Sequence, residues 1–256
     1  MSTNKLKIEF LKRVLLDSTH RGIIDTFFSL KEFPPAEIME TCLNTPVDEN
    51  KVEGKDWPEK AHTMIGLMRL HNLHDCLEYI RDYKVQGDFI ETGVWRGGAC
   101  IFMQMYNKLY NMNRKVYVAD SFRGLPPPDP RYGADNGDLH YTFPELSVSK
   151  QQVEENFKLY NALDENVVFL EGWFKDTLPS ANIEKLAILR LDGDMYGSTL
   201  DALNALYDKL QPGGALIIDD YALKGCAAAI HDFRNSRGIN TNIKKIDSIA
   251  AFWIKE

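Results

Sequence analysis

The pattern of apolar and polar positions divides the chain into two parts. Residues 1–57 contain helical stretches at residues 5–16 and 23–33, and then a polar segment without any strand pattern. From residue 58 to residue 83, apolar side chains recur at helical spacing, which predicts one long helix. We therefore predict an N-terminal helical cap or lid over residues 1–57 and one larger domain over residues 58–256.

Short apolar runs alternate with helical patterns through the larger domain. The runs lie at residues 89–90, 116–119, 167–170, 186–189 and 215–218, and the helical patterns at residues 98–111, 147–161, 198–210 and 225–236. This alternation predicts a parallel sheet, and runs that are apolar throughout indicate strands covered on both faces. Residues 242–246 and 249–254 predict an antiparallel hairpin at the edge of that sheet.

The predicted hairpin separates two common α/β folds. A doubly wound, mostly parallel, seven-stranded sheet that ends in an antiparallel hairpin is the Rossmann-like fold of class I methyltransferases, which use S-adenosylmethionine (SAM). Dehydrogenases that bind nicotinamide dinucleotides usually lack the hairpin. We therefore expect an α/β methyltransferase fold, by analogy between folds.

Composition and charge exclude several classes of protein. The net charge of −7 argues against nucleic acid as a partner, because phosphate binding requires a basic face. No apolar run is long enough to span a membrane, and the N-terminus lacks the pattern of a signal peptide. The four cysteines are scattered, without the spacing of a zinc site or a disulfide framework. These features predict a cytoplasmic protein with free thiols.

An acidic residue and spaced glycines follow the first predicted strand. Glu91 and Thr92 precede Gly93, and Arg96 and Gly97 follow within the same strand-to-helix turn. Glycine allows a tight turn and the close approach of a ligand to the backbone. The acidic side chain suits a cationic amino-acid group such as the methionine end of SAM, whereas a turn that binds pyrophosphate would need GxGxxG. We therefore predict that this turn binds SAM.

Further positions extend the predicted cofactor site. Asp120 and Ser121 end the second strand, where an acidic residue can accept hydrogen bonds from ribose hydroxyls. Trp173 follows the third strand and could form a wall against adenine. Thr63 and Met64, at the start of the predicted long helix, could close over the methionine end.

A long loop interrupts the alternation of strands and helices. Residues 122–145 are rich in proline, glycine and aspartate and follow directly after the second strand. Loops of this length are usually functional or disordered, and open α/β sheets bind ligands at this end of their strands. His140 lies in the loop, and we include it as a candidate contact of the acceptor substrate.

Four carboxylates follow the fourth and fifth strands. Asp192 and Asp194 come after the fourth strand, and Asp219 and Asp220 after the fifth. If the two strands are neighbours, these anions repel one another and raise their own pKa values unless a cation neutralises them. Hard oxygen donors of this kind suit Mg²⁺, with positions left for water and substrate.

Several ordered runs of residues resemble the macrocin O-methyltransferase family. The runs are residues 62–64, 91–98, 119–122, 172–176, 192–196 and 219–221. The resemblance extends over roughly residues 57–256, and the first 55 or so residues match poorly. It implies a homo-oligomeric enzyme that uses SAM and Mg²⁺ to methylate a hydroxyl of a deoxysugar, in natural-product or surface-polysaccharide biosynthesis.

The resemblance also implies roles for individual residues. The metal ligands of the family correspond to Asp192, Asp219 and Asp220, and Asp192 is expected to contact SAM as well. The second aspartate of the Asp-Gly-Asp motif, Asp194, corresponds to the general base. Tyr196 and Tyr221 lie within two of the matching runs and are candidate contacts of the acceptor.

Three other functions stay open at this point. A nicotinamide-dependent oxidoreductase is disfavoured by the missing GxGxxG and by the four carboxylates. A SAM-binding homologue without activity would bind SAM and transfer no methyl group. A methyltransferase acting on a catechol would share the metal site and differ in its acceptor.

Overall fold

The computed structural model describes all 256 residues. Its helices are α1 (Thr3–Leu15), α2 (Arg21–Leu30), α3 (Ala36–Asn44), α4 (Glu49–Glu53), α5 (Gly66–Asp82), α6 (Gly98–Leu109), α7 (Lys150–Leu159), α8 (Phe174–Thr177), α9 (Tyr196–Leu206) and α10 (Lys224–Arg237). Its strands are β1 (Asp88–Thr92), β2 (Val116–Asp120), β3 (Val167–Glu171), β4 (Leu186–Leu191), β5 (Leu210–Ile218), β6 (Lys244–Lys245) and β7 (Ala251–Ile254).

The strands form one seven-stranded sheet in the order β3-β2-β1-β4-β5-β7-β6. The first five strands are parallel, and β7 runs antiparallel to both β5 and β6. The predicted fold class and the C-terminal hairpin are therefore confirmed, although β6 has only two residues. The strand order reverses between β1 and β4, which is where open α/β sheets bind their ligands.

Both faces of the sheet are buried, as the apolar runs predict. Phe89 and Ile188 belong to one hydrophobic cluster, with residues of α1, α5, α6 and α7. Their neighbours Ile90 and Leu189 belong to a second cluster, with residues of α9 and α10. Alternate residues of a strand point to opposite faces, so strands covered on both sides are apolar at most positions.

The N-terminal helices rest on the same core as the sheet. Phe10 and Leu11 of α1 are fully buried, and they belong to the cluster that covers the first face of the sheet. The predicted cap over residues 1–57 is thus anchored through α1. No helix of the chain is both long and apolar enough to cross a membrane. The four cysteines are free, as predicted, and all four are buried.

The prediction of one helix over residues 58–83 is wrong for its first part, because α5 begins only at Gly66. The guanidinium group of Arg96 donates to three carbonyl oxygens of residues 58–61, at 2.8–3.1 Å. These carbonyls therefore bond to a side chain of the neighbouring turn. Thr63 and Met64 lie in the irregular segment before the helix, whereas the sequence pattern placed them at its start.

Candidate active site

A cavity of about 670 Å³ lies at the carboxyl ends of β1, β2, β4 and β5. Its walls come from the turns after these strands, from the loop between β2 and α7, and from the segment before α5. Twelve predicted site residues line it: Thr63, Met64, Glu91, Gly93, Asp120, Ser121, His140, Trp173, Asp192, Asp194, Asp219 and Asp220. The volume lies in the range typical of small-molecule sites.

Five predicted site residues do not line this cavity: Thr92, Arg96, Gly97, Tyr196 and Tyr221. Thr92 is buried within β1, and Arg96 binds the backbone before α5. The hydroxyl groups of the two tyrosines bond elsewhere, Tyr196 to Asp232 and Tyr221 to His231. Sequence position places these residues near the strand ends, but the directions of their side chains depend on how the adjoining helices pack.

The turn after β1 brings two strand ends into close contact. Gly93 has a φ of +88°, and a Cβ atom there would lie 1.7 Å from the carbonyl oxygen of Asp192. Only glycine fits this position, both because of its positive φ and because of the approaching backbone. The turn after β1 and Asp192, which follows β4, are therefore held side by side.

Glu91 has partners within the protein. Its carboxylate pairs with the guanidinium of Arg190 and accepts a hydrogen bond from the Cys100 thiol at 2.9 Å. Burial raises the pKa of Glu91, and the positive charge of Arg190 opposes that rise. The side chain still borders the cavity, but it shares its charge with Arg190.

Asp120 organises the turn after β1. Its carboxylate accepts hydrogen bonds from the backbone N–H groups of Val94 at 2.7 Å and Phe122 at 2.8 Å. Burial raises the pKa of Asp120, while these backbone donors favour its charged form. Asp120 therefore fixes the shape of the predicted SAM-binding turn as well as facing the cavity.

The carboxylates after β4 and β5 form the acidic cluster, which consists of Asp192, Asp194, Asp219 and Asp220. One oxygen each from Asp192, Asp219 and Asp220 lies within 4.8 Å of the others. The backbone N–H of Asp194 donates to Asp220 at 3.0 Å, and Asp194 has a positive φ of 56°. Three converging carboxylate oxygens are a donor set that suits a hard divalent cation such as Mg²⁺.

Three carboxyl groups of the acidic cluster have raised pKa values. Burial is the main cause that raises the pKa values of Asp192 and Asp220 well above the ordinary range. Burial also raises the pKa of Asp194 to about 6. Repulsion from the neighbouring carboxylates adds to each rise. A bound divalent cation would relieve this repulsion.

Two buried arginines that the sequence analysis did not consider hold the acidic cluster together. Arg190 donates to Asp192 at 2.6 Å and also pairs with Glu91 and Asp219. Arg69 of α5 donates to Asp219 at 2.6 Å and to Asp247 at 2.7 Å. Arg190 stands out in the sequence as a charged residue inside an apolar strand, which is rare unless the charge is paired.

The chain matches the family model of macrocin-O-methyltransferase (TylF) over residues 4–255. It belongs to the macrocin-O-methyltransferase family. The match includes the N-terminal helices, so the expectation that the resemblance begins near residue 57 is wrong. The helix patterns of the N-terminal region are too general to identify a family by themselves.

Relatives with assigned activities support this membership. The chain is 47% identical to a rhamnosyl-tetracenomycin C 4'-O-methyltransferase from Streptomyces olivaceus, across 97% of this chain and 92% of the relative. It is 46% identical to the mycinamicin III 3''-O-methyltransferase from Micromonospora griseorubida, across 81% of this chain and 84% of the relative. This member of the family is thus an O-methyltransferase.

Solved structures agree with the observed fold. The structure of the O-methyltransferase NovP aligns with a TM-score of 0.85 and 39% identity, across 98% of this chain and 99% of that chain. The calicheamicin methyltransferase CalS11 aligns with a TM-score of 0.58 at 15% identity, across 96% of this chain and 91% of that chain, and so shares the fold. The fold is that of class I SAM-dependent methyltransferases.

Proposed function

We propose that the enzyme transfers the methyl group of SAM to a hydroxyl of a sugar that carries a vicinal hydroxyl, and that it requires Mg²⁺. The observation that carries this proposal is the convergence of Asp192, Asp219 and Asp220 beside the turn predicted to bind SAM. The relatives named above methylate sugars of natural products, which supports the same class of acceptor.

The chain's own residues have distinct parts in this reaction. Asp192, Asp219 and Asp220 would hold Mg²⁺, which when bound supplies a Lewis acid that makes a sugar hydroxyl more acidic. Asp194 borders the same cavity and takes the proton of the acceptor hydroxyl. The acceptor oxygen then forms its bond to the methyl carbon as the carbon–sulfur bond of SAM breaks. Much of the acceleration should come from holding the two reactants in line.

The SAM subsite consists of the predicted residues that line the cavity. Glu91 and Gly93 lie at the carboxyl end of β1, Asp120 ends β2, Trp173 follows β3, and Met64 lies in the segment before α5. Gly54 and Trp57 also line the cavity, which supports the proposal that residues 1–57 act as a cap over the site. The homo-oligomeric state implied by the family stays a prediction.

The mouth of the cavity favours an acceptor sugar attached to an apolar group. Trp57 borders the cavity and is 55% exposed. Its ring packs edge-on against that of Phe143, with the ring centroids 6.1 Å apart. Leu139 and Tyr141, next to the cavity residue His140, are exposed as well. Exposed apolar residues grouped at the edge of a cavity typically mark a binding surface.

The charge of the cavity also favours a sugar attached to an apolar group. Nine carboxyl groups line the cavity, against three lysine and arginine side chains. One of the three, Arg131, is neutralised by Asp129 at 2.6 Å, and another, Arg69, is paired as described above. A nucleotide diphosphate would meet net repulsion here, whereas cationic SAM and Mg²⁺ would be attracted. We therefore favour a glycoside with an apolar aglycone over a nucleotide-linked sugar.

A comparison of acceptors tests this proposal. We expect methyl transfer from SAM to para-nitrophenyl rhamnoside with a kcat/KM roughly tenfold or more above that for TDP-rhamnose. Trp57→Ala should lower kcat/KM for the aryl glycoside about fivefold to tenfold, because it removes an aromatic contact with the aglycone. Tyr83→Ala, which removes an exposed aromatic residue outside the cavity, should have no effect.

Other outcomes would assign a different acceptor. A preference for TDP-rhamnose would contradict the proposed preference for a glycoside with an apolar aglycone. Methylation of catechol alone would assign the enzyme to the methyltransferases that act on catechols. Binding of SAM without transfer to any of these acceptors would contradict the proposal and favour a homologue that has lost activity.

A further inference from the structure

Asp135 is a buried acid in the middle of an otherwise solvated loop. It is 2% exposed, and every other residue from 123 to 146 is partly or fully exposed. Its two carboxylate oxygens accept hydrogen bonds from the backbone N–H groups of Tyr196 at 2.7 Å and Gly197 at 3.0 Å. A carboxylate without bonded partners would be costly to bury, and these two donors satisfy it.

The two N–H groups belong to the first turn of α9. Met195 precedes this helix, and its side chain makes no capping hydrogen bond to the helix. Asp135 supplies that cap from a position 61 residues earlier in the chain, and its negative charge is favourable at the positive end of the helix dipole. The bond is therefore both a helix cap and a link between the loop and the helix.

The capped end of α9 directly follows the proposed base. Asp194 lies two residues before Tyr196, in the left-handed backbone conformation with a φ of 56°. Its N–H group is bonded to Asp220 on one side, and the chain enters α9 on the other. Whatever fixes the start of α9 therefore also fixes one end of the short segment that carries Asp194.

Gly225 and Tyr132 pack closely around the bond between Asp135 and the start of α9. A Cβ atom on Gly225 would lie 2.8 Å from the Oδ1 atom of Asp135 and 2.9 Å from the backbone nitrogen of Tyr196. On the other side, the Tyr132 ring lies over Gly197, where a Cβ atom would meet it at 3.1 Å. Glycine at position 225 is thus a steric requirement of the link.

The same loop forms one wall of the cavity. Residues 124–132, Asp135, His140 and Leu146 border it. Near the ends of the loop, the Ser121 hydroxyl donates to the carbonyl of Gly124 at 2.7 Å, and the Trp95 indole N–H donates to the carbonyl of Glu145 at 2.9 Å. Between these ends, Asp135 bonds the loop to the start of α9, and the Tyr132 ring packs against that of Tyr196 with centroids 5.1 Å apart.

We propose that Asp135 is a positioning residue: by joining the loop to the start of α9, it sets the distance between the acceptor and Asp194. This inference rests on the proposed function, since it assumes that the loop faces the acceptor. SAM is expected to lie on the turns after β1 and β2, outside the loop from 125 to 146. Loss of the link should therefore affect the acceptor and leave SAM binding intact.

Two substitutions disrupt the link from opposite sides. Asp135→Asn keeps the size of the side chain but removes its charge and directs an amide donor at a backbone donor. Gly225→Ala keeps the charge and pushes a methyl group into the bonded atoms. In both variants we expect the KM for para-nitrophenyl rhamnoside to rise roughly tenfold and kcat to fall, because small displacements of reacting groups have large effects on rate.

Two binding and stability measurements separate positioning from general destabilisation. The Kd for SAM, measured by calorimetry, should change less than about twofold in both variants, since the link lies outside the SAM subsite. Trypsin should cleave faster after the exposed Arg131 in both variants, since the loop is released. Asn136→Ala, which alters the exposed neighbouring residue, should match the wild type in every assay.

Unchanged acceptor kinetics and unchanged cleavage in both variants would overturn the inference. A loss of SAM affinity as large as the rise in the acceptor KM would also overturn it, because Asp135 would then support the whole site. Cleavage and SAM binding need no acceptor. Failure of the proposed function, seen as no methyl transfer by the wild-type enzyme, is therefore distinguishable from failure of this inference.

Discussion

We expect Asp192→Ala to abolish both metal binding and methyl transfer, and Asp194→Asn to abolish methyl transfer while leaving metal binding in place. Asp192 contributes one of the three converging oxygens, so its loss would leave only Asp219 and Asp220 of the proposed ligands. Asp194 is not among those three, and its proposed part is to accept a proton. We expect kcat to fall by about 10²–10⁴ in Asp194→Asn, the usual effect of a missing general base.

The two variants are compared by binding of Mn²⁺, followed by electron paramagnetic resonance, and by initial rates of methyl transfer in Mg²⁺. Asp208→Asn is a suitable control, because this carboxylate is largely exposed and distant from the cavity lining. Wild-type affinity for Mn²⁺ in Asp192→Ala would remove that residue from the metal site. Wild-type turnover of Asp194→Asn would remove it as the base.

We expect Arg190→Met to lower the free energy of unfolding by about 3–5 kcal/mol, the usual cost of breaking a buried ion pair by removing one partner. Arg190 is 1% exposed and pairs with Glu91, Asp192 and Asp219. Its removal leaves Glu91 without its cation in a fully buried position. The melting temperature should fall by about 10 °C, given the size of the protein.

Urea denaturation and a thermal melt both measure this effect. Arg237→Met is the matched control, because Arg237 pairs with the exposed Asp208 on the surface and should contribute less than about 1 kcal/mol. The stability of Arg190→Lys should lie between those of Arg190→Met and Arg237→Met, because an ammonium group keeps the charge but cannot reproduce the planar fork of donors. A stability of Arg190→Met equal to that of the wild type would show that the buried network is not held by this charge.

The two arginines explain how so many carboxylates stay together in one cavity. Arg190 and Arg69 both bond to Asp219, one from the neighbouring strand and one from α5. Asp247 in turn orients Arg69, and its own second oxygen accepts two backbone N–H bonds from Ile249 and Ala250. Asp219 is thus fixed by partners that need not bind any ligand themselves, which is the usual way that ligating side chains are oriented.

The sequence pattern was sufficient for the order of strands and helices in the sheet domain and for twelve of the residues that line the cavity. The strands β2, β3 and β4 are apolar at most positions, so each could be located to within two residues. Residues at the ends of neighbouring parallel strands share one edge of the sheet, and for that reason the sequence predicts that Asp192 and Asp194 lie close to Asp219 and Asp220. This reasoning depends only on local pattern and on topology.

Contacts between distant parts of the chain account for what the pattern missed. Arg69 lies 150 residues from its partner Asp219, and Asp135 lies 61 residues from its partner Tyr196. The start of α5 was misplaced because Arg96, in another turn, bonds the backbone before it. Helical spacing could not reveal any of these bonds, since each is decided by tertiary packing.

The most direct test of the account is the rate of methyl transfer by the wild-type enzyme before and after removal of divalent metal. The enzyme is assayed with SAM and para-nitrophenyl rhamnoside, then in excess EDTA, and then with Mg²⁺ restored in excess over the chelator. We expect turnover to fall to background in EDTA and to recover fully with Mg²⁺. Undiminished turnover in EDTA would contradict the central claim, because Asp192, Asp219 and Asp220 would then serve some purpose other than holding a metal for catalysis.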